Sequence, residues 1–133
     1  MEKKESLAKF LEIETEDLEV STWDKNVFTL GDKEYMVLTD EEADERARDY
    51  ILESIWAFNS WFLVNHMPDG VNEDIIKMAQ EKCEGANETL KAMIVDLDAF
   101  VEEAIQTDGR GHFLSTYDGE ENEEGDYFIY RVN

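Results

Sequence analysis

Thirty-four Asp and Glu against twelve Lys and Arg leave a formal net charge of −22 on 133 residues, and any fold this chain adopts must keep almost all of that charge in water. Highly charged chains stay disordered when they lack apolar surface to bury. This chain is 42% hydrophobic and 11% aromatic, with seven Phe, five Tyr and three Trp, so it is expected to fold. Its length is that of one ordinary domain, able to bury about two-thirds of the surface its unfolded form exposes. The expectation is one acidic domain spanning residues 1–133.

The charge also sorts the partners. Nucleic acid and anionic membrane surfaces repel such a chain, so direct binding to either is not expected. A protein that normally grips phosphates with Lys and Arg is the complementary partner, because an acidic surface can occupy the same groove. Halophilic adaptation is a rival source of acidity, but here Lys outnumbers Arg and aromatics are plentiful. The single cysteine, Cys83, leaves no disulfide framework, and the opening MEKKESLAKF lacks the apolar stretch of a signal peptide. No apolar run approaches the ~20 residues of a membrane span. The cytoplasm is the expected compartment.

Residues 6–13 place Leu7, Phe10 and Leu11 on one side of a short helix, which reads as a docking arm, and Leu18 and Val20 form a second apolar pair. Two β-rich runs, near 27–30 and 34–38, flank Gly31 and Asp32 and predict a hairpin. Thr39, with Glu42 three residues on, predicts a capping box. From residue 40 to about 65, Ala43, Ala47, Tyr50, Ile51, Ile55, Phe58 and Phe62 repeat at helical spacing. After a turn at 66–70, Asn72 is placed to cap a second helix. Its register runs through Ile76, Ala79, Cys83, Ala86, Leu90, Ile94, Leu97, Val101 and Ala104 to residue 106. Such a helix is either elongated or bent near Gly85, and it puts Cys83 among buried, inert positions. Residues 112–117 and 127–133 read as strands of a second hairpin around the acidic stretch 118–126. The fold expected is α+β: two β-hairpins with two long helices packed on a small sheet, and a short N-terminal helix.

Three acidic groups are candidate partner-binding residues. Glu42, Glu45, Asp49 and Glu53 face away from the apolar positions of the first long helix; Glu81, Glu84 and Glu88 do so on the second. Asp118, Glu120, Glu121, Glu123, Glu124 and Asp126 crowd the last hairpin loop. A helical carboxylate stripe recurs every ~4.5–6 Å, sparser than the ~3.4 Å spacing of phosphates along a DNA strand, so one stripe alone cannot imitate DNA. The last loop suggests calcium, yet glycine does not stand at its sixth position, no acid stands at its twelfth, and a strand follows. Arg110, His112, Ser115, Tyr117 and Asp118 gather reactive groups within nine residues, but strand alternation scatters them and Arg110 is expected to pair with an acidic neighbour. With two His, including His66, and one Cys, no zinc-ligand spacing exists. Asn59 and Ser60 interrupt the most apolar helical stretch and are expected in a structural hydrogen bond or a helix–helix contact rather than lining a small pocket. No cofactor, metal or catalytic residue is expected.

The segments FTLGDKEYMVLTDEEADE, IWAFNSWFL, DGRGHFLSTYDGEENE and YFIYR resemble small acidic proteins encoded by bacteriophages and other mobile elements. The resemblance implies counter-defence by occupying the nucleic-acid groove of a restriction or CRISPR effector, and it assigns no catalytic residue. The function expected is a non-enzymatic, DNA-mimic-like inhibitor acting in the bacterial host cytosol. The alternative is a phage accessory or structural module whose charge only solubilises it while an apolar surface binds another protein.

Overall fold

The computed structural model describes residues 2–133, which divide into two compact units: 2–47 with Asp108–Asn133, and Arg48–Thr107. The first is built on one five-stranded antiparallel sheet, the second on short helices. The protein is α+β, with an N-terminal helix as the sequence predicts.

In the sheet unit, α1 (Lys3–Leu11) ends where Glu12 turns left-handed at φ 58° and returns its N–H to the Ala8 and Lys9 carbonyls. Leu7 and Ala8 are buried against Leu18, Phe28, Tyr35, Val37 and Ile129, so the arm docks through the face its spacing predicts. Val20 does not follow Leu18 inward; it lies exposed on the short edge strand β1 (Glu19–Val20). β2 (Val27–Leu30) and β3 (Lys33–Leu38) pair around Gly31-Asp32, with Gly31 at φ 63°, a value L side chains rarely adopt. The second hairpin repeats this device: β4 (Asn122–Glu124) and β5 (Tyr127–Arg131) turn through Gly125-Asp126, with Gly125 also at φ 63°. Because β5 pairs with β3, both hairpins share one sheet, in the order β1-β2-β3-β5-β4. Residues 112–117 are therefore not the partner strand expected of them. Arg110–Leu114 form a short helix, α7 in chain order, and β4 from inside the acidic stretch takes the pairing instead.

The capping box forms as the sequence predicts. Thr39 N–H donates to Glu42 Oε1 at 2.9 Å, and Glu42 N–H donates to Thr39 Oγ1 at 3.2 Å. It opens α2 (Asp40–Glu53), within which the division between the two units falls.

The expected helix to residue 65 stops at Glu53. A single 3₁₀ turn (Ile55–Ala57) and α3 (Ser60–Val64) follow, separated by extended backbone at Phe58 and Asn59. Side-chain amides distant in sequence satisfy the backbone groups this break releases. Asn87 donates to the Leu52 carbonyl at 2.8 Å and accepts Trp56 N–H at 3.2 Å. Gln80 donates to the Trp56 and Phe58 carbonyls at 3.0 and 2.6 Å. Asn59 itself is exposed at the start of α3, and Ser60 bonds to Glu73.

The second long helix is broken as well. α4 (Glu73–Gln80) starts at Asn72, whose Oδ1 accepts Ile75 N–H as predicted. A 3₁₀ turn (Cys83–Ala86), α5 (Asn87–Met93) and α6 (Leu97–Asp108) follow. The break near residue 83 lies at Cys83, whose left-handed φ of 52° interrupts the α-helical run, and Cys83 is exposed rather than buried. Extended backbone at Ile94 ends α5, and Asp96 Oδ1 accepts Ala99 N–H to restart the chain as α6. The helical unit packs aromatic rings inside: Phe62 lies 5.6 Å from Phe58 and 5.5 Å from Phe100 between centroids. His66 joins them, its ring 5.3 Å from Phe100 and its Nε2 2.8 Å from Glu103 Oε2, close but not aligned for a hydrogen bond.

Candidate functional site

The acidic stretch of the sheet unit is anchored by Arg110, which starts α7 after Gly109 (φ 83°) and whose side chain is 11% exposed. Its Nε donates to Glu121 Oε1 at 2.8 Å. Its Nη1 donates to Asp40 Oδ1 at 2.8 Å, Asp44 Oδ1 at 3.0 Å and the Asp40 carbonyl at 3.1 Å, and its guanidinium lies 4.7 Å over the Phe128 ring. Burial works against the guanidinium charge. The bonds to Glu121 and Asp40 outweigh it and push the pKa above the ordinary Arg value. Tyr130, fully buried, donates its hydroxyl to Glu121. Burial, that bond and the Glu121 charge all raise the phenol's pKa.

The loop before β4 is held by backbone contact too. Gly111 is buried where residues 119–121 pass so close that a Cβ would stand 2.6 Å from the Gly119 carbonyl oxygen. The chain's own backbone, rather than a ligand, fills the space this glycine leaves. Ser115 is buried, its Oγ 2.6 Å from Asp118 Oδ1 and 2.8 Å from the Arg131 carbonyl. The Ser115 bond first, and the Glu120 N–H second, hold the Asp118 carboxyl below its ordinary range.

These contacts divide the expected binding residues. Glu42 is committed to the capping box and to Lys3, whose Nζ lies 2.7 Å from Glu42 Oε1 and also donates to Asn26. Burial would raise the Glu42 pKa, but Lys3 and the Thr39 N–H bring it below the ordinary value. Glu121 and Asp118 likewise serve the fold. Glu45, Asp49, Glu53, Glu81, Glu84, Glu88, Glu120, Glu123 and Asp126 are exposed, and Glu124 is half-buried on β4; none forms an ion pair among the described residues. Glu81, Glu84 and Glu88 do not share a helix face, because they fall at the end of α4, on the 3₁₀ turn and on α5.

Of the reactive groups at 110–118, Arg110 pairs with acidic neighbours as predicted, and Arg131 stacks its guanidinium 3.5 Å from the Tyr117 ring centre. His112 is exposed with its ring against Phe113, while the Ser115 hydroxyl is engaged with Asp118, so no nucleophile–base pair joins them among the described residues. No group of three metal-capable side chains occurs among the described residues, and no described helix is long and apolar enough to cross a membrane. The sequence reading missed Asp40 and Asp44 as partners of Arg110, 70 and 66 residues away. Their i, i+4 spacing on one helix side was the available signal. Comparison with protein families, curated proteins and solved structures returns no match for this chain.

Proposed function

We propose that the protein is a non-enzymatic inhibitor whose exposed carboxylates engage the basic nucleic-acid-binding surface of another protein, in the manner of anti-restriction or anti-CRISPR counter-defence in the bacterial cytoplasm. One observation carries this reading: a net charge of −22 with many exposed carboxylates that have no cation of their own. Three of the four Arg are spent on Asp24, Asp98 and the pair Asp40 and Asp44, which leaves the other exposed carboxylates without them. Carboxylates left in water steer the chain toward Lys- and Arg-lined grooves and compete there with phosphate.

Affinity capture from a bacterial lysate at low and high salt tests this. Capture of a nucleic-acid-binding protein that falls away steeply with salt, and is lost on changing Glu45, Asp49, Glu53, Glu120, Glu123 and Glu124 to Gln, is the expected result. Binding indifferent to both salt and these substitutions would sink the proposal. A second reading, a protein-interaction module with a merely solubilising charge, draws on the exposed side chains of Trp61 and Met78.

A further inference from the structure

The helical unit carries an open depression of mixed polar and apolar lining. α3 and α4 pack together, tied at their starts by the Ser60 hydroxyl donating to Glu73 Oε1 at 3.3 Å. An open cavity of about 430 Å³ there is lined by Val64, Val71, Asn72, Glu73 and Asp74. Val64 and Val71 are half-buried and supply its apolar lining; Asn72 spends its side-chain oxygen on the helix cap, which leaves Glu73 and Asp74 as exposed carboxylates. Trp61, one turn before Val64, is 55% exposed, and Ile75 and Met78 on α4 are 44% and 69% exposed. α4 already buries Ile76 and turns Gln80 toward the Trp56 and Phe58 carbonyls, so its inward positions are filled. Ile75 and Met78 are surplus to the core, and at i, i+3 they form a ridge of the kind against which a second helix packs.

We propose that this face docks a cationic amphipathic helix of the partner protein, with apolar side chains against Trp61, Ile75 and Met78, and Lys or Arg reaching Glu73 and Asp74. Charge selects the occupant. A second copy of the chain would set −22 against −22, and a neutral apolar helix would strip water from both carboxylates without replacing it. A Lys or Arg side chain has the apolar stem and charged head that two Val beside two carboxylates accept, and a guanidinium also stacks on an indole. The inference rests on the reading of the chain as a binder of basic proteins and assigns one face of that binding: apolar contact here holds the partner, while the other carboxylates steer it.

The test uses the whole chain, labelled with ¹⁵N, and two designed peptides of about five helical turns with equal numbers of Arg. One carries Leu at helical spacing; in the other each Leu is Ser. The three Trp give three indole N–H signals, with that of Trp61 identified through Trp61→Phe. The Leu peptide is expected to move the Trp61 signal, and Trp61→Ser or Met78→Ser to weaken its binding about tenfold or more. Equal binding of both peptides with the Trp61 signal unmoved overturns the docking face and leaves the acidic-surface reading standing. Binding of neither overturns both. A Trp61 signal that moves with protein concentration alone makes the face a self-association surface and overturns the proposal. Should Trp61→Ser fail to fold, Met78→Ser carries the same comparison, because it removes a largely exposed side chain.

Discussion

Gly111 and Gly119 meet backbone to backbone: a Cβ on the first would lie 2.6 Å from the carbonyl oxygen of the second, with Glu120 C and Glu121 N at 2.8 Å. All three are main-chain atoms, so no side-chain rotation relieves the overlap. Gly111→Ala is expected to cost about 2–3 kcal/mol in urea denaturation, as overpacking does. Gly85→Ala is the control. Its nearest foreign atom, Lys82 Cβ, is 3.8 Å away and its φ is not positive, so that variant is expected to be neutral or stabilising by up to about 1 kcal/mol.

Arg110→Met should loosen the acidic loop. The substitution leaves Glu121 with the Tyr130 hydroxyl but no cation, and releases Asp40 and Asp44 to repel one another across one helix turn. Because both Asp are exposed and screened, a loss of about 2 kcal/mol is expected rather than the 3–5 of a fully buried pair. Arg110→Lys should recover only part, since a point charge cannot serve Glu121 and Asp40 from separate nitrogens. Thermal melts of the three proteins at equal salt check the order: wild type, Lys, Met.

Stability against pH should have a maximum below neutrality. The bond from Arg46 foremost lowers the Asp24 pKa, the Ser115 bond foremost lowers that of Asp118, and Lys3 with the Thr39 N–H lowers that of Glu42 against the opposing pull of burial. A depressed carboxyl pKa stabilises the fold above the ordinary carboxylate range and stops doing so as pH falls through the folded value. These contributions are therefore intact above about pH 5 and lost below about pH 4. Mild acid also relieves the self-repulsion of −22 charges, so the melting temperature should rise from pH 7.5 toward about 5 and then fall. At the other extreme, the raised Tyr130 pKa keeps its phenol protonated when the unfolded phenol ionises, so stability declines above about pH 10. Melts followed by circular dichroism from pH 3 to 11 test both limbs; a melting temperature that falls steadily from pH 7.5 to 5 would contradict the first.

Asn87→Ala removes one acceptor and one donor that the broken chain between α2 and α3 depends on, leaving Trp56 N–H and the Leu52 carbonyl without that partner. A loss of about 1–3 kcal/mol is expected, with Asn87→Asp recovering the Trp56 bond only. Hydrogen exchange at Trp56 should report the difference: faster in the Ala variant, near wild type in the Asp variant.

Local signals were legible in the sequence. The Thr39/Glu42 box, the Gly31-Asp32 turn and the Asn72 cap all act within four residues, and all three are present. Helix continuity was not, because Ile55, Phe62, Ile76, Ala86, Leu90, Ile94, Val101 and Ala104 are buried at helical spacing whether or not the backbone between them is one helix. The backbone groups freed where the first helix ends are satisfied by Gln80 and Asn87, 22 to 35 residues away, which no local window contains. The second hairpin was misplaced although Gly125-Asp126 repeats the Gly31-Asp32 dipeptide, because the apolar HFLSTY outweighed the acidic NEE as a strand. Among the acidic candidates, exposure was readable for Glu45, Asp49 and Glu53. The commitment of Glu42 to Lys3, 39 residues earlier, was not.

The pairing of β3 with β5 sets an order of assembly during synthesis. Tyr35 to Leu38 wait for partners at residues 128–131, with the whole of Arg48–Thr107 made in between. A ribosome therefore releases every residue of the helical unit before the sheet has its central ladder, and until then β3 shows a bare edge rich in Tyr, Met, Val and Leu. Nascent chains stalled short of residue 127 are accordingly the form of this protein most prone to clump, and full-length synthesis is what seals that edge.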